Sequence, residues 1–295
     1  MWRQMLLLLI ALLPPAIGAQ EAERVIRYMK HQGDDPHRPY MLDLLRLAAA
    51  RSGQKIEIRP SDEAMNQGRA LREITQRTGR VDLIWTMTSV ERERELLPIR
   101  IPLFKGLIGW RIPLVKADSP NLLQNLKSGE IAALTAGQMQ DWPDTEILRA
   151  NGFKVAISAQ YASLFSMLAR GRIDYFPRSA IEIWQELADH KNMAIAAEAS
   201  TVIYYPTAYY FFVGRHEKEL ASALERGLEA AIRDGSFDKV FWTYNKESIQ
   251  RARLDQRRQI VLDNPYLPPE TPLKRSELWY QPRKGNMPAN DQRQP

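Results

Sequence analysis

Apolar and polar positions along this chain switch between a period of two and a period near 3.6. Arg24 to Tyr28 reads as a strand, and Tyr40 to Ser52 carries Leu42, Leu45, Ala48 and Ala49 at helical spacing before Gly53 closes it. Lys55 to Arg59 alternates as a second strand, Arg69 to Thr78 gives a helix, and Val81 to Trp85 a third strand. The segment from Lys30 to Pro39 is too rich in Pro, Gly and Asp to continue the first strand and reads as a loop. The order β-α-β-α-β predicts a parallel sheet with helices on its faces.

A fresh series starts at Asp118-Ser119-Pro120. Ile131 to Thr135, Lys154 to Ile157, Ile173 to Phe176 and Met193 to Ala197 read as its strands. Helices are expected at Asp144 to Ala150, Tyr161 to Arg170 and Ile181 to His190. The long apolar stretch Gly106 to Val115, after a bend at Pro98 to Pro102, leads into this series, and the aromatic run Tyr204 to Val213 leads back. Glu217 to Arg233, closed by Gly235, and a helix bearing Phe237, Val240, Phe241 and Tyr244 complete the first unit. Asn264 to Leu273 is too proline-rich for regular structure and reads as a strap across the surface.

A repeated phrase supports two units built alike. Gly79-Arg80-Val81-Asp82-Leu83 and Gly171-Arg172-Ile173-Asp174-Tyr175 each sit where a helical pattern ends and an apolar run begins. Glycine suits the left-handed residue that closes a helix, and the Arg and Asp are expected in solvent at the turn. The prediction is an α/β chain of two lobes around a cleft, with two crossing strands as hinge. Residues 20–110 and 210–280 form lobe one, 111–209 lobe two, and 281–295 a disordered tail.

The ends and the composition narrow the setting. Arg3, the apolar run Met5 to Leu13, and Pro14-Pro15-Ala16-Ile17-Gly18-Ala19 read as a signal peptide over residues 1–19. That run is too short for the ~20 residues of a membrane span, and no later apolar stretch is long enough either. A periplasmic or otherwise extracytoplasmic location follows, which removes nucleic acid as an expected partner. The net charge of +6 then favours anionic ligands. With Cys 0, no disulfide, thiolate metal site or cysteine nucleophile exists in this sequence.

The chain resembles the amino-acid-type, bilobal (type II) solute-binding proteins that serve ABC transporters. The resemblance is carried by Val81 to Thr88 with Glu91-Arg92, by Pro102-Leu103-Phe104 leading into the crossing, by Leu126-Lys127-Ser128-Gly129 before Ile131 to Gly137, and by Gly171-Arg172-Ile173-Asp174. It implies two lobes closing on a small solute, and ligand-binding positions at Tyr28, Trp85, Thr86 or Thr88, and Arg92. Gly137-Gln138 is implied as a lobe-two helix N-terminus. Arg94 stays open as the alternative to Arg92, because the spacing to the following proline differs by one residue from the family's. The resemblance also implies an ABC permease or a membrane sensor as partner, no cofactor, and a monomer.

One departure bears on the ligand. Where relatives place an acidic residue for the ligand's amino group, this chain has Pro177-Arg178-Ser179. Arg178 is therefore expected to face Arg92 across the cleft, each offering a guanidinium fork to an anion. Trp85, Trp142, Tyr161 and Tyr205 are candidate cleft aromatics. The four histidines lack metal-ligand spacing, and no nucleophile elbow, phosphate loop or zinc motif occurs, so no catalytic or metal residue is assigned. An exported enzyme on the same scaffold, or an interaction protein with a degenerate cleft, are the alternatives to solute capture.

Overall fold

Strand β1 (Arg24–His31), buried by its apolar side chains, opens the first sheet in a computed structural model that describes residues 24–31 and 35–282. The leader at 1–19 and all but the first two residues of the tail at 281–295 lie outside the described residues. Helix α1 (Arg38–Arg51), strand β2 (Ile56–Met65), helix α2 (Gln67–Thr75), strand β3 (Leu83–Met87), helix α3 (Val90–Glu95) and strand β4 (Leu96–Ile99) follow. β1 lies parallel to both β2 and β3, as the β-α-β-α-β pattern requires.

The chain then crosses into lobe two along β5 (Trp110–Lys116). There it forms α4 (Ser128–Ala133), β6 (Thr135–Met139), α5 (Pro143–Ala150), β7 (Lys154–Ser158), α6 (Tyr161–Ala169), β8 (Phe176–Ser179), α7 (Ile183–Asp189), β9 (Ile195–Ala197) and β10 (Thr201–Tyr204). β11 (Tyr209–Gly214) returns to lobe one, where it lies between β3 and β4 and antiparallel to both. The lobe-one sheet therefore runs β2-β1-β3-β11-β4. Helix α8 (Lys218–Arg233) buries Leu220, Leu224, Leu228 and Ala231 along one face and packs on α1. Helix α9 (Ser236–Ala252) follows.

The two crossings touch at Gly109 and Tyr205. A Cβ on Gly109 would stand 2.2 Å from the Tyr205 carbonyl oxygen, so only glycine admits this approach. The Tyr205 N–H donates to the Gly109 carbonyl at 3.3 Å.

Several boundaries differ from the sequence reading. β1 runs on to His31 into the expected loop, α1 starts at Arg38 and β2 extends to Met65. Three further differences lie in lobe two and the hinge. Ile131 to Thr135 is not a strand: Ile131 belongs to α4, whose start is fixed by the Lys127 N–H donating to the Glu130 carboxylate at 2.7 Å. The strand comes after it, as β6. β8 likewise starts at Phe176 rather than Ile173, and the aromatic run Tyr204 to Val213 is broken around Pro206 into β10 and β11.

The segment 210–280 also does not stay in one lobe. β12 (Arg258–Val261) pairs parallel with β10, giving lobe two the order β12-β10-β5-β8, with β9 also on β5. From there the strap returns. The Asp263 N–H and C=O bond the Asn151 side chain in lobe two, at 3.1 and 2.8 Å. Asn264 Nδ2 donates to the Pro206 carbonyl at the hinge, and the Tyr266 carbonyl accepts from the Val90 N–H in lobe one. Farther on, the Tyr280 N–H donates to the Lys105 carbonyl and Arg275 pairs with Glu229. Part of the basic run Gln250 to Arg258 also fastens this segment to lobe two, since Arg257 and Arg258 donate to the carbonyls of Glu198 and Leu126.

Candidate functional site

Three arginines are buried where the lobes meet, and their partners set them apart. Arg111 enters from β5, the strand that leaves the hinge. Its Nη2 lies 2.5 Å from Asp144 Oδ1 and its Nη1 3.6 Å from Glu182. Tyr205 accepts from Arg111 Nε at 3.1 Å and donates to Asp144. Burial alone would lower the Arg111 pKa, but Asp144, Tyr205 and Glu182 together more than offset it.

Arg178, on β8, is also internally paired. Its Nε donates to both Glu186 oxygens at 2.9 Å, and its Nη2 lies 2.6 Å from Glu186 and 3.1 Å from Glu182. The expected free cation facing an anionic ligand is thus not what lobe two presents. The reason is the helix that follows: Glu182 and Glu186 come four and eight residues after Arg178 and turn back onto it. Burial works against the charge, yet the two glutamates raise the Arg178 pKa well above its ordinary value.

Arg92 differs from both. It lies on α3, whose Ser89 cap accepts from the Arg92 N–H at 3.2 Å. Its side chain is only 8% exposed, whereas Arg94 is exposed, so the inward-facing arginine is Arg92. Nη1 donates to Thr86 Oγ1 at 2.9 Å and to the Met87 carbonyl at 2.6 Å. Nη2 crosses to lobe two and donates to the Asp141 carbonyl at 3.2 Å. A guanidinium has five donors, so Nε–H and one Nη2 hydrogen have no acceptor among the described residues. No carboxylate stands within ion-pair distance among those residues. Burial lowers the Arg92 pKa, opposed only in part by attraction to Tyr209, Asp141 and Asp144.

The other expected positions fall as follows. Tyr28 and Trp85 are buried and stack on each other at 5.4 Å, and Trp85 Nε1 donates to Asp35 at 3.3 Å. Thr86 accepts from Arg92 and donates to Gln67, while the Thr88 hydroxyl is engaged by Glu93 at 2.7 Å. Gly137 and Gln138 lie inside β6 and not at a helix N-terminus, because the strand begins four residues later than its sequence suggested and the next helix starts at Pro143. Gly137 makes room for Ile173, whose Cδ1 would be 2.4 Å from an added Cβ. Gln138 is buried with neither amide atom partnered among the described residues. Tyr161, 37% exposed, donates to Glu186 and stands near Trp142.

Several residues here were not singled out from the sequence. Arg111 had a signal, since a charge inside the apolar run Gly106 to Val115 must find a buried partner. His37, whose Nε2 is 3.6 Å from Glu182, links lobe one to the same acidic cluster. Asp141 contributes only its carbonyl, which no side-chain pattern reveals.

No protein-family model matches the sequence, and no curated protein does. Solved structures do match. One is an ancestral arginine-binding protein bound to arginine, 18% identical, with TM-score 0.56, covering 75% of this chain and 97% of that one. Another is the periplasmic VFT2 domain of Bordetella pertussis BvgS, 16% identical, with TM-score 0.58, covering 75% and 93%. A third is the probable amino-acid ABC transporter extracellular-binding protein ytmK from Bacillus subtilis, 14% identical, with TM-score 0.55, covering 75% and 97%. This chain therefore has the bilobal α/β fold of periplasmic binding proteins and Venus flytrap sensor domains. No helix among the described residues is long and apolar enough to cross a membrane.

Proposed function

We propose that this chain is an extracytoplasmic solute-binding protein that captures a small carboxylate-bearing solute between its lobes, with Arg92 as the carboxylate anchor. The observation that carries this reading is the contrast among the buried arginines. Arg111 and Arg178 each have carboxylates, whereas Arg92 is buried, reaches across the cleft, and keeps two donors without a protein acceptor among the described residues. A carboxylate on those donors would compensate the charge with charge-assisted hydrogen bonds. The unpartnered Gln138 amide is the polar group proposed to complete the anchor from lobe two, while Thr86, whose hydroxyl donates to Gln67, holds the Arg92 guanidinium from lobe one.

The fold shared with binding proteins and a sensor domain supports delivery of the solute to an ABC permease or its presentation to a membrane sensor. A thermal-shift screen of mono- and dicarboxylates, amino acids and phosphates tests the reading. Carboxylates are expected to raise the unfolding midpoint of the unaltered protein and to lose that effect in Arg92→Ala. A midpoint indifferent to every carboxylate would contradict it.

A further inference from the structure

The surroundings of Arg178 have the make-up of a receptor. Three aromatic rings enclose its guanidinium: Trp142 at 4.7 Å, Phe176 at 4.9 Å and Tyr161 at 5.5 Å from the central carbon. Glu186 holds the Nε and Nη2 edge, and Glu182 adds a second carboxylate at 3.1 Å. These groups come from separate elements. Trp142 is the residue before α5, Tyr161 opens α6, Phe176 lies on β8, Glu182 precedes α7 and Glu186 lies within it. Tyr161 also donates to Glu186, which fixes one wall of the cage to its carboxylate. Aromatic faces with a carboxylate fork are what a free guanidinium or ammonium ligand needs, since the rings attract the cation and the fork matches its planar donors.

We propose that Arg178 is a tethered ligand: its guanidinium fills, from within the chain, a cation pocket in the wall of lobe two, and so restricts the interlobe site to solutes without a cationic group on that side. The restriction rests on the reading of the cleft as a solute site. The pocket faces that cleft, because Glu182 is shared by Arg178, by Arg111 and by His37 of lobe one at 3.6 Å. Arg111 in turn reaches Met87 of lobe one at 3.8 Å. With Glu182 and Glu186 already engaged, a solute bringing its own cation finds no free carboxylate there. Its cation would lose water without gaining a counter-charge, and such an unpaired charge is how binding sites reject a competitor.

The test is to remove the tether and supply the ligand. In Arg178→Ala, methylguanidinium is expected to raise the thermal unfolding midpoint by about 3 °C when present at ten times its dissociation constant. The unaltered protein, with its pocket filled, is expected to show no rise. Arg178→Lys, which keeps a cation in the cage, is expected to fold and to show none either. The double variant Arg178→Ala, Glu186→Gln, which lacks the charged fork, is expected to lose the response. An equal response in Arg178→Ala and in either Arg178→Lys or the double variant would overturn the proposal. So would an Arg178→Ala protein that gains nothing from methylguanidinium or stays unfolded in its presence. This readout needs neither the natural solute nor Arg92, so its failure would leave the carboxylate anchor standing.

Discussion

Asp82 in lobe one and Asp174 in lobe two make the same pair of main-chain hydrogen bonds. The Asp82 N–H donates to the Arg27 carbonyl at 2.8 Å, and its carboxylate accepts from the Arg27 N–H at 2.8 Å. The Asp174 N–H donates to the Thr135 carbonyl at 2.9 Å, and its carboxylate accepts from the Thr135 N–H at 2.7 Å. Each aspartate thus clips the approach to one strand onto the first strand of its lobe's parallel pair. The glycines three residues earlier, Gly79 and Gly171, have φ of 73° and 67°.

Because a hydrogen bond to a charged group is worth ~1.5–3 kcal/mol, Asp82→Ala and Asp174→Ala are each expected to destabilise the protein by about that amount. The asparagine variants, which keep an acceptor, should lose less. Urea denaturation measures both. A large loss at one site with none at the other would show that the two clips are not equivalent.

That clip also marks how far the sequence was legible. The duplicated phrase disclosed two like units, and helical periodicity located α1, α8 and α9, because a buried stripe leaves a pattern in the chain. The sequence places the aspartates in solvent, because their hydrogen-bond partners are main-chain N–H and C=O groups of strands about forty to fifty-five residues away. Ile131 misled for a related reason: a short apolar run fits a strand or a buried helix equally, and the Lys127–Glu130 cap decided between them. The resemblance pointed to Arg92 and left Arg94 open, and only burial separates the two, Arg92 turning inward and Arg94 to solvent. The pairing of Arg178 was not legible, because it depends on α7 turning its glutamates inward. β12 was missed because a four-residue edge strand with exposed Arg258, Gln259 and Val261 carries little apolar signal.

Acid stability should report on the lobe-two cluster. Burial alone would raise the Glu182 pKa, but Arg178, His37 and Arg111 together hold it below the usual carboxylate range. As pH falls, the unfolded chain takes up this proton first. The stabilisation is therefore complete above the ordinary glutamate value of about 4.3 and is lost progressively below it. Glu182→Gln is expected to be less stable at neutral pH yet to lose less stability than the unaltered protein between about pH 5 and pH 3. Identical acid slopes in denaturant titrations would contradict this role.

The strap bonds Asn151 in lobe two, Pro206 at the hinge and Val90 in lobe one, so it spans the segments in which a hinge motion would concentrate its dihedral changes. A chain ending at Leu262 is expected to unfold at lower temperature and, without solute, to have a larger radius of gyration by small-angle scattering than the full chain. An unchanged scattering curve would show that the strap does not hold the lobes.

Calorimetric titration tests the role of Arg92 most directly. The carboxylate that raises the unfolding midpoint most would be titrated into the unaltered protein, Arg92→Ala, Arg92→Lys and Arg94→Ala. Arg92→Ala is expected to weaken binding by ~2 to 5 kcal/mol, because it removes one partner of a buried charged hydrogen bond. Arg92→Lys should recover part of that loss, and Arg94→Ala, with its side chain in solvent, should bind as the unaltered protein does. Equal affinity in the unaltered protein and Arg92→Ala would contradict the proposed carboxylate anchor.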